Sequence, residues 1–518
     1  MQKDFQKRVA YFIILFLLIE AVPVLVSLFS VILNNLTSFD EILNENSLVL
    51  LSKSISVATA SAVFSTLSGI LLGFILFKTN QKFNFIIKIF LLFPLFISPY
   101  VIAVAWRDLF VFLFGTDSLL HSLGGLIFIY TIIYSPLAML IIGNAFTNIN
   151  ASIEESGLLV FQQGKVLTKI VLPLIRNAIF SSFVLIFIFV ISEFSVPAYL
   201  GIKVFTTEIF TQFSAFYNQT FSIVESFVLV LISIFLLFSE RKYLSQAPFL
   251  SIGDKGNTIK KYNFPAGKVI IYLWVLFFFV LPFVALTHNS FSAGIEIFTK
   301  ALNLLASAIL NSFSLAFFGA LSITFCGILI AVYISKNGNS LLSKITDYSL
   351  LVLFAVPSII LGITLVLFFN KSYLNFIYST WAIVIIAYVA KFTFLSTKII
   401  ANSLNQIPKS FEEVALVSGI SESKIFIKIH FPLVFKAIFI SFIIGFILSF
   451  SELGTTILIY PAGLDILSIK IFTLSPNSTA SLTSAMNFIS FFITLIFVLF
   501  FYLLAIVINK STRHFAND

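Results

Sequence analysis

Uninterrupted apolar stretches, each long enough to cross a bilayer, recur along almost the whole of this chain. A hydrocarbon core of ~30 Å takes about 20 residues of helix. Runs of that order fall at approximately 9–33, 50–77, 84–113, 124–148, 174–200 and 220–239, and again at 267–287, 304–334, 345–369, 378–402, 433–459 and 483–509. Backbone in lipid has to satisfy its own hydrogen bonds, so such runs fold as helices. The expected fold is an all-α polytopic membrane protein with about twelve transmembrane helices. Only 10% of the 518 residues are charged, against about a quarter in a soluble domain, too few to cover a water-facing surface. The first run follows Lys3, Lys7 and Arg8, as a secretion signal would. Its apolar part is too long for one, and it reads as a retained anchor.

Basic residues orient the spans, because Lys and Arg collect in the loops on the cytoplasmic side. With both termini in the cytoplasm, 23 of the 31 Lys and Arg residues fall inside, 6 outside and 2 (Lys391 and Lys398) within a span. The net charge of +9 is thereby a topology signal, with no patch left over for nucleic acid. Cys326 stands alone in an apolar run, which excludes an intrachain disulfide or thiolate cluster. His121, His288, His430 and His514 show no ligand spacing, so no metal site and no catalytic residue is expected.

The chain repeats itself. Ile153-Glu154-Glu155-Ser156-Gly157 matches Phe411-Glu412-Glu413-Val414-Ala415 at an offset of 258. Ile170-Val171-Leu172-Pro173-Leu174 matches Ile429-His430-Phe431-Pro432-Leu433, and Ser192-Glu193 matches Ser451-Glu452, both at 259. Collinear matches at nearly one offset mark an internal duplication. A first half at 1–238, a polar cytoplasmic linker at 239–266 and a second half at 267–518 follow. Six spans in each half give both the same orientation, so these are parallel repeats, with a path expected where they meet.

The repeated loops, about 150–173 and 408–432, lie between the fourth and fifth spans, on the side that the charges assign to the cytoplasm. Ser410 and Glu413 have capping-box spacing, and Glu412 and Glu413 suit the positive end of a helix. Ala415 allows close approach, Gly419 permits a bend, and Pro432 opens the next span. Two short helices around a bend would make an exposed knob, whereas an ordinary amphipathic loop on the bilayer surface would explain the charges but not their recurrence.

In these residues the chain resembles the permease subunits of binding-protein-dependent ABC importers. That family's signature is a Glu-Ala-Ala triplet, a glycine a turn later and a closing Ile-x-Leu-Pro. The second half has Glu413-Val414-Ala415, Gly419 and Ile429-His430-Phe431-Pro432, departing at Val414 and Phe431. The first has Glu155-Ser156-Gly157 and Ile170-Val171-Leu172-Pro173, with Phe161 where the glycine would stand. The resemblance implies that Glu154, Glu155, Gly157 and Pro173 dock one copy of a separate ATP-hydrolysing subunit, and Glu412, Glu413, Ala415, Gly419 and Pro432 a second. The chain has no Gly-x-x-x-x-Gly-Lys-[Ser/Thr] loop of its own, so it cannot be the ATPase; a transport subunit that is no enzyme and holds no cofactor of its own is expected. ATP would be used by the partner, and a periplasmic or lipoprotein binding protein would deliver cargo at a bacterial inner membrane.

Two fused halves are similar to the ferric-iron and thiamine type of permease. Glu452-Leu453-Gly454-Thr455-Thr456, Tyr460-Pro461-Ala462-Gly463 and Pro99-Tyr100-Val101-Ile102-Ala103 fit the ferric pattern. Thiamine, phosphonate or polyamine is the alternative cargo, and an ion-gradient-driven secondary transporter the alternative class. Glu193 and Glu452, towards the equivalent outer ends of the fifth spans, either line the path and attract a cation, or are interfacial or hydrogen-bonded to a neighbouring helix. Pro94, Pro99 and Pro357 interrupt the third spans. Lys391 either pairs with a carboxylate or reaches towards the cytoplasm.

Overall fold

A computed structural model of the chain describes residues 2–34, 45–244, 260–418 and 422–514. Most of the proposed linker, and Gly419 with it, lie outside them. The first half comprises α1 (Gln2–Asn34), α2 (Glu45–Gly73), α3 (Phe85–Leu92), α4 (Pro99–Phe114), α5 (Leu123–Thr147), α6 (Ala151–Val160), α7 (Arg176–Ser192), α8 (Ser195–Tyr199), α9 (Phe205–Ser214) and α10 (Gln219–Leu244). The second comprises α11 (Ala266–Val275), α12 (Leu281–Phe291), α13 (Ile295–Asn337), α14 (Leu341–Ala355), α15 (Ser358–Phe369), α16 (Trp381–Leu404), α17 (Lys409–Val417), α18 (Phe431–Ser451), α19 (Thr456–Ile459), α20 (Leu467–Leu474) and α21 (Ala480–His514). Among the described residues nine helices are long and apolar enough to cross a bilayer, and three bent pairs raise the number to as many as twelve.

The third spans depart from straight helices. Residues 85–114 break into two pieces at 107° and residues 341–369 into two at 110°. The prolines are the cause: the residue before a proline is driven out of the helical region. Ser98 and Val356 accordingly sit at ψ 132° and 124°, next to Pro99 and Pro357. The fifth spans are shorter than the apolar runs 174–200 and 433–459. They stop at Ser192 and Ser451, where Glu193 and Glu452 take ψ of 133° and 132°.

Equivalent trios form the two cores: α2 packs on α5 and α7, and α13 packs on α16 and α18. The second and fourth spans approach through glycine. A Cβ at Gly69 would overlap Ala138, and one at Gly327 would overlap Ser396, two contacts related by the same offset of 258.

The outer helices cross over. The α4 limb of the first half packs against α12 and α21 of the second, and the corresponding α15 limb packs against α1 and α10 of the first. Each half thus wraps its first and last spans around the broken third span of the other. One apolar cluster accordingly runs from Val9 and Ile13 through Ile129 and Phe187 to Leu361 and Val389.

Candidate functional site

Two regions hold the residues singled out by the repeat: the protruding helices α6 and α17, and the contact between halves around Glu193 and Glu452.

Helix α6 starts at Asn150, whose side chain accepts from the Ser152 amide at 3.1 Å. Helix α17 starts differently from the capping box read in the sequence. Pro408, at φ −57° and ψ 131°, occupies the N-cap position without a side-chain bond, and Ser410 lies inside the helix. Proline fixes φ at the N-cap position, and the serine stands two residues beyond it, too late to cap.

Each protruding helix is pinned by an ion pair to the end of its second span. Glu154 pairs with Lys78, and Glu412 pairs with Lys336 at 2.6 Å. Both residues of the pair repeat at 258. The copies differ in cover. Lys78 and Glu154 are 0% exposed, because Tyr262 closes over them: its hydroxyl donates to Glu154 Oε2 at 2.6 Å, and its amide donates to the Lys78 carbonyl at 2.7 Å. Burial, and then the adjacent carboxylate, push the Tyr262 phenol above its usual value. Lys336 and Glu412 remain 20% and 28% exposed, with His430 Nε2 3.9 Å from the carboxylate. Glu155 and Glu413 face outward, Glu155 pairing with Lys260 at 3.3 Å.

The small residue has a packing reason. A Cβ on Gly157 would come within 2.5 Å of Ile170 Cδ1, and Ala415, its counterpart, is buried. Each helix therefore lies flat on the segment that leads into the fifth span. In both halves that segment is a single π turn, Leu167–Val171 and Phe426–His430, directly before the turn that contains Pro173 or Pro432. The two diverge beyond it: a 64° bend separates Gln163–Leu174 from α7, whereas Phe426–Ser451 continues as one span.

Opposite the pinned face, each helix presents an apolar ridge. Leu159 and Val417, at equivalent positions, are 89% and 90% exposed, and Ile153, Val160, Phe411 and Val414 extend the ridges. Apolar side chains this exposed on a short polar loop mark a surface built for contact.

At the contact between halves, each glutamate turns back onto the chain that follows it. Glu193 accepts from the Ser195 amide at 2.8 Å, the Ser195 hydroxyl, the Val196 amide at 3.0 Å and the Tyr130 hydroxyl at 2.9 Å. Glu452 accepts from the Thr455 and Thr456 amides at 2.8 and 3.0 Å. Both therefore cap the short helices that redirect the chain into the bundle. Those segments are tied symmetrically: the Phe205 amide donates to Ser54 Oγ at 2.9 Å and the Leu467 amide to Ser312 Oγ at 2.7 Å. Lys391 has no such counterpart, since Ile133 stands at the equivalent place. It donates to Ser358 Oγ and lies in the field of both Glu452 and Glu193.

Sequence reading missed the Lys78–Glu154 and Lys336–Glu412 pairs, although both lysines obey the offset. It also missed the Arg107 and Asp108 cluster, where Asp108 accepts from Asn289 at 3.1 Å and from Ser484 at 2.5 Å across the halves. Nothing in the local sequence of Asp108 announces partners that far along the chain.

A duplicated helical membrane protein, with interlocked halves and a pinned apolar-ridged helix before each fifth span, is a transport permease scaffold. The chain belongs to the family of binding-protein-dependent transport system inner membrane components, which it matches twice, over residues 65–243 and 323–516. The two matches begin 258 residues apart, in step with the repeat. It is 25% identical over 422 residues to the ferric transport system permease protein FbpB of Actinobacillus pleuropneumoniae, covering 74% of this chain and 60% of that protein. The Fe(3+)-transport system permease protein FbpB 2 of Haemophilus influenzae is 25% identical over 430 residues, covering 79% of this chain and 81% of its own length. PhnV of Salmonella typhi, assigned to 2-aminoethylphosphonate transport, is 26% identical over 250 residues, covering 45% of this chain and 92% of PhnV.

Proposed function

We propose that the chain is the membrane-spanning subunit of an ATP-driven importer in a bacterial inner membrane, with both termini in the cytoplasm. The observation that carries this is the equivalence of α6 and α17: two helices pinned by the same ion pair, each turning a ridge with a nearly fully exposed Leu159 or Val417 away from the bundle. A secondary carrier has no use for such a pair. Each ridge would sit in a groove of one ATP-hydrolysing subunit, with Glu155 and Glu413 at its polar edge. Closure of two such subunits would push on the π turns and so on the fifth spans, whose far ends carry Glu193 and Glu452. ATP binding and hydrolysis belong to the partner.

Cargo would arrive from a periplasmic or lipoprotein binding protein. Ferric iron is the cargo we favour, because the relatives aligned along most of this chain are ferric permeases. A phosphonate is the second reading, favoured by the PhnV match.

The class is tested by purifying the tagged chain from membranes of the cells that naturally encode it. A nucleotide-binding subunit should co-purify. Leu159→Asp with Val417→Asp should reduce its recovery at least tenfold without changing the yield of the permease. Undiminished recovery in the double variant would sink the docking assignment.

A further inference from the structure

Residues 260–264 lead into the second half, yet they are built onto the first. Their backbone pairs with the chain that leaves the second span. The Tyr262 amide donates to the Lys78 carbonyl at 2.7 Å and the Asn80 amide to the Tyr262 carbonyl at 3.1 Å, which makes a parallel bridge between Thr79 and Tyr262. Gln81 Nε2 donates to the Phe264 carbonyl at 3.2 Å. The same short segment holds both carboxylates of α6: the Tyr262 hydroxyl donates to Glu154 at 2.6 Å and the Lys260 ammonium to Glu155 at 3.3 Å. Bonds to a carboxylate are strong ones, and the first of these is shut away from water. Helix α11 begins directly afterwards, at Ala266. Gly267 brings it close onto the second span, since a Cβ there would stand 3.0 Å from Ile75 Cγ2. Helix α6, the end of the second span and the first span of the second half are thus stitched into one body.

The other protruding helix is tied differently. Asn337 is the counterpart of Thr79 at the offset of 258, and its Nδ2 donates to Gln6 Oε1 of α1 at 2.9 Å. The start of α1 therefore reaches across to the opposite half as the Tyr262 segment does. Its bond ends on α13, however, and not on α17. Glu412 meets Lys336 and His430, both of its own half, and Glu413 is exposed.

We propose that residues 260–264 are a strap that carries motion across the halves, so that α6 and α11 move together while α17 tilts relative to α1. This rests on the permease reading and adds to it that the two docking helices are mechanically unequal. An ATP-hydrolysing subunit seated on α6 moves the first span of the second half as well as its own fifth span. One seated on α17 moves its own half first.

The test uses the chain with its nucleotide-binding subunits in lipid vesicles, in a Cys326→Ser background. Paramagnetic labels go on two cysteine pairs related by the repeat offset, Ser152→Cys with Ala266→Cys and Ser410→Cys with Arg8→Cys. Distances are measured by pulsed electron resonance without nucleotide and after trapping with ATP and vanadate. On the scale of helix shifts in switching proteins, the α6–α11 distance should stay within about 2 Å and the α17–α1 distance should change by more than about 4 Å. Adding Tyr262→Phe and Lys260→Ala should let the α6–α11 distance change as the other does, with ATP hydrolysis within twofold of wild type. If that double variant is not recovered from the membrane, Tyr262→Phe alone, which keeps the ring against Phe74, carries the same expectation. Equal changes of both distances in the wild type overturn the proposal. So does an α6–α11 distance that stays fixed in the strap variant, or a complex that hydrolyses ATP while neither distance changes. A wild-type chain that retains no nucleotide-binding subunit fails the underlying permease reading, and that is seen before any label is attached.

Discussion

At the scale of residues, the duplicated ion pair is an internal experiment on burial. Lys78–Glu154 and Lys336–Glu412 join the same two elements, but Tyr262 seals only the first. Removing one partner of a buried pair strands the other charge, at about 3–5 kcal/mol, whereas a water-accessible pair contributes about 1 kcal/mol or less. Lys78→Met should therefore lower the thermal unfolding midpoint of the detergent-solubilised protein markedly, and Lys336→Met should barely move it. Equal shifts would mean that the Tyr262 cover does not change the dielectric surroundings of the pair. Both lysines were visible in the sequence only as cytoplasmic charges. Their partners lie 76 residues further on, and the shared offset was the one signal that could have joined them. The two glutamates, read as lying inside the apolar runs near their ends, stand one residue beyond α7 and α18. Their capping bonds depend on extended ψ values at Glu193 and Glu452, which no apolar run encodes.

At the scale of elements, the spans were legible because each needs a long apolar stretch, and the breaks were legible where proline caused them. The angle was not legible: Pro99 and Pro357 turn the third spans by more than a right angle, since the packing that receives each limb comes from the opposite half. The close approach of second and fourth spans is equally a tertiary matter. A Cβ at Gly69 would stand 2.7 Å from the Ala138 carbonyl carbon and 2.8 Å from the Met139 amide nitrogen. Backbone cannot rotate away as a side chain can, so Gly69→Ala forces α2 and α5 apart, at about 1–3 kcal/mol for overpacking. Gly164, with nothing within 4 Å of its Cβ position, is the control. Gly164→Ala should leave the unfolding midpoint unchanged or raise it slightly, since alanine is the better helix former. A Gly69→Ala protein as stable as wild type would show that these helices can separate without loss.

At the scale of the whole molecule, the duplication explains more than symmetry. The last spans α10 and α21 also pack on their own cores, but α1 and α10 together receive α15, α12 and α21 together receive α4, and Tyr262 closes over an ion pair of the first half. Each half leaves exposed, without the other, a surface that in lipid has no polar or close-packed substitute. Helix association in a bilayer depends on such packing and on polar contacts, with little help from the hydrophobic effect. The network of Arg107, Asp108, Asn289 and Ser484 supplies the polar part of it on one side. The covalent connection between halves is then secondary to the interlock. Expressed as separate chains divided between residues 244 and 260, the halves should assemble in the membrane and co-purify through a tag on either one. Each half alone should be degraded or recovered at a small fraction of that yield, and Asp108→Ala should weaken recovery of the pair. A first half that accumulates by itself and ignores the second would show that the crossed helices are merely adjacent.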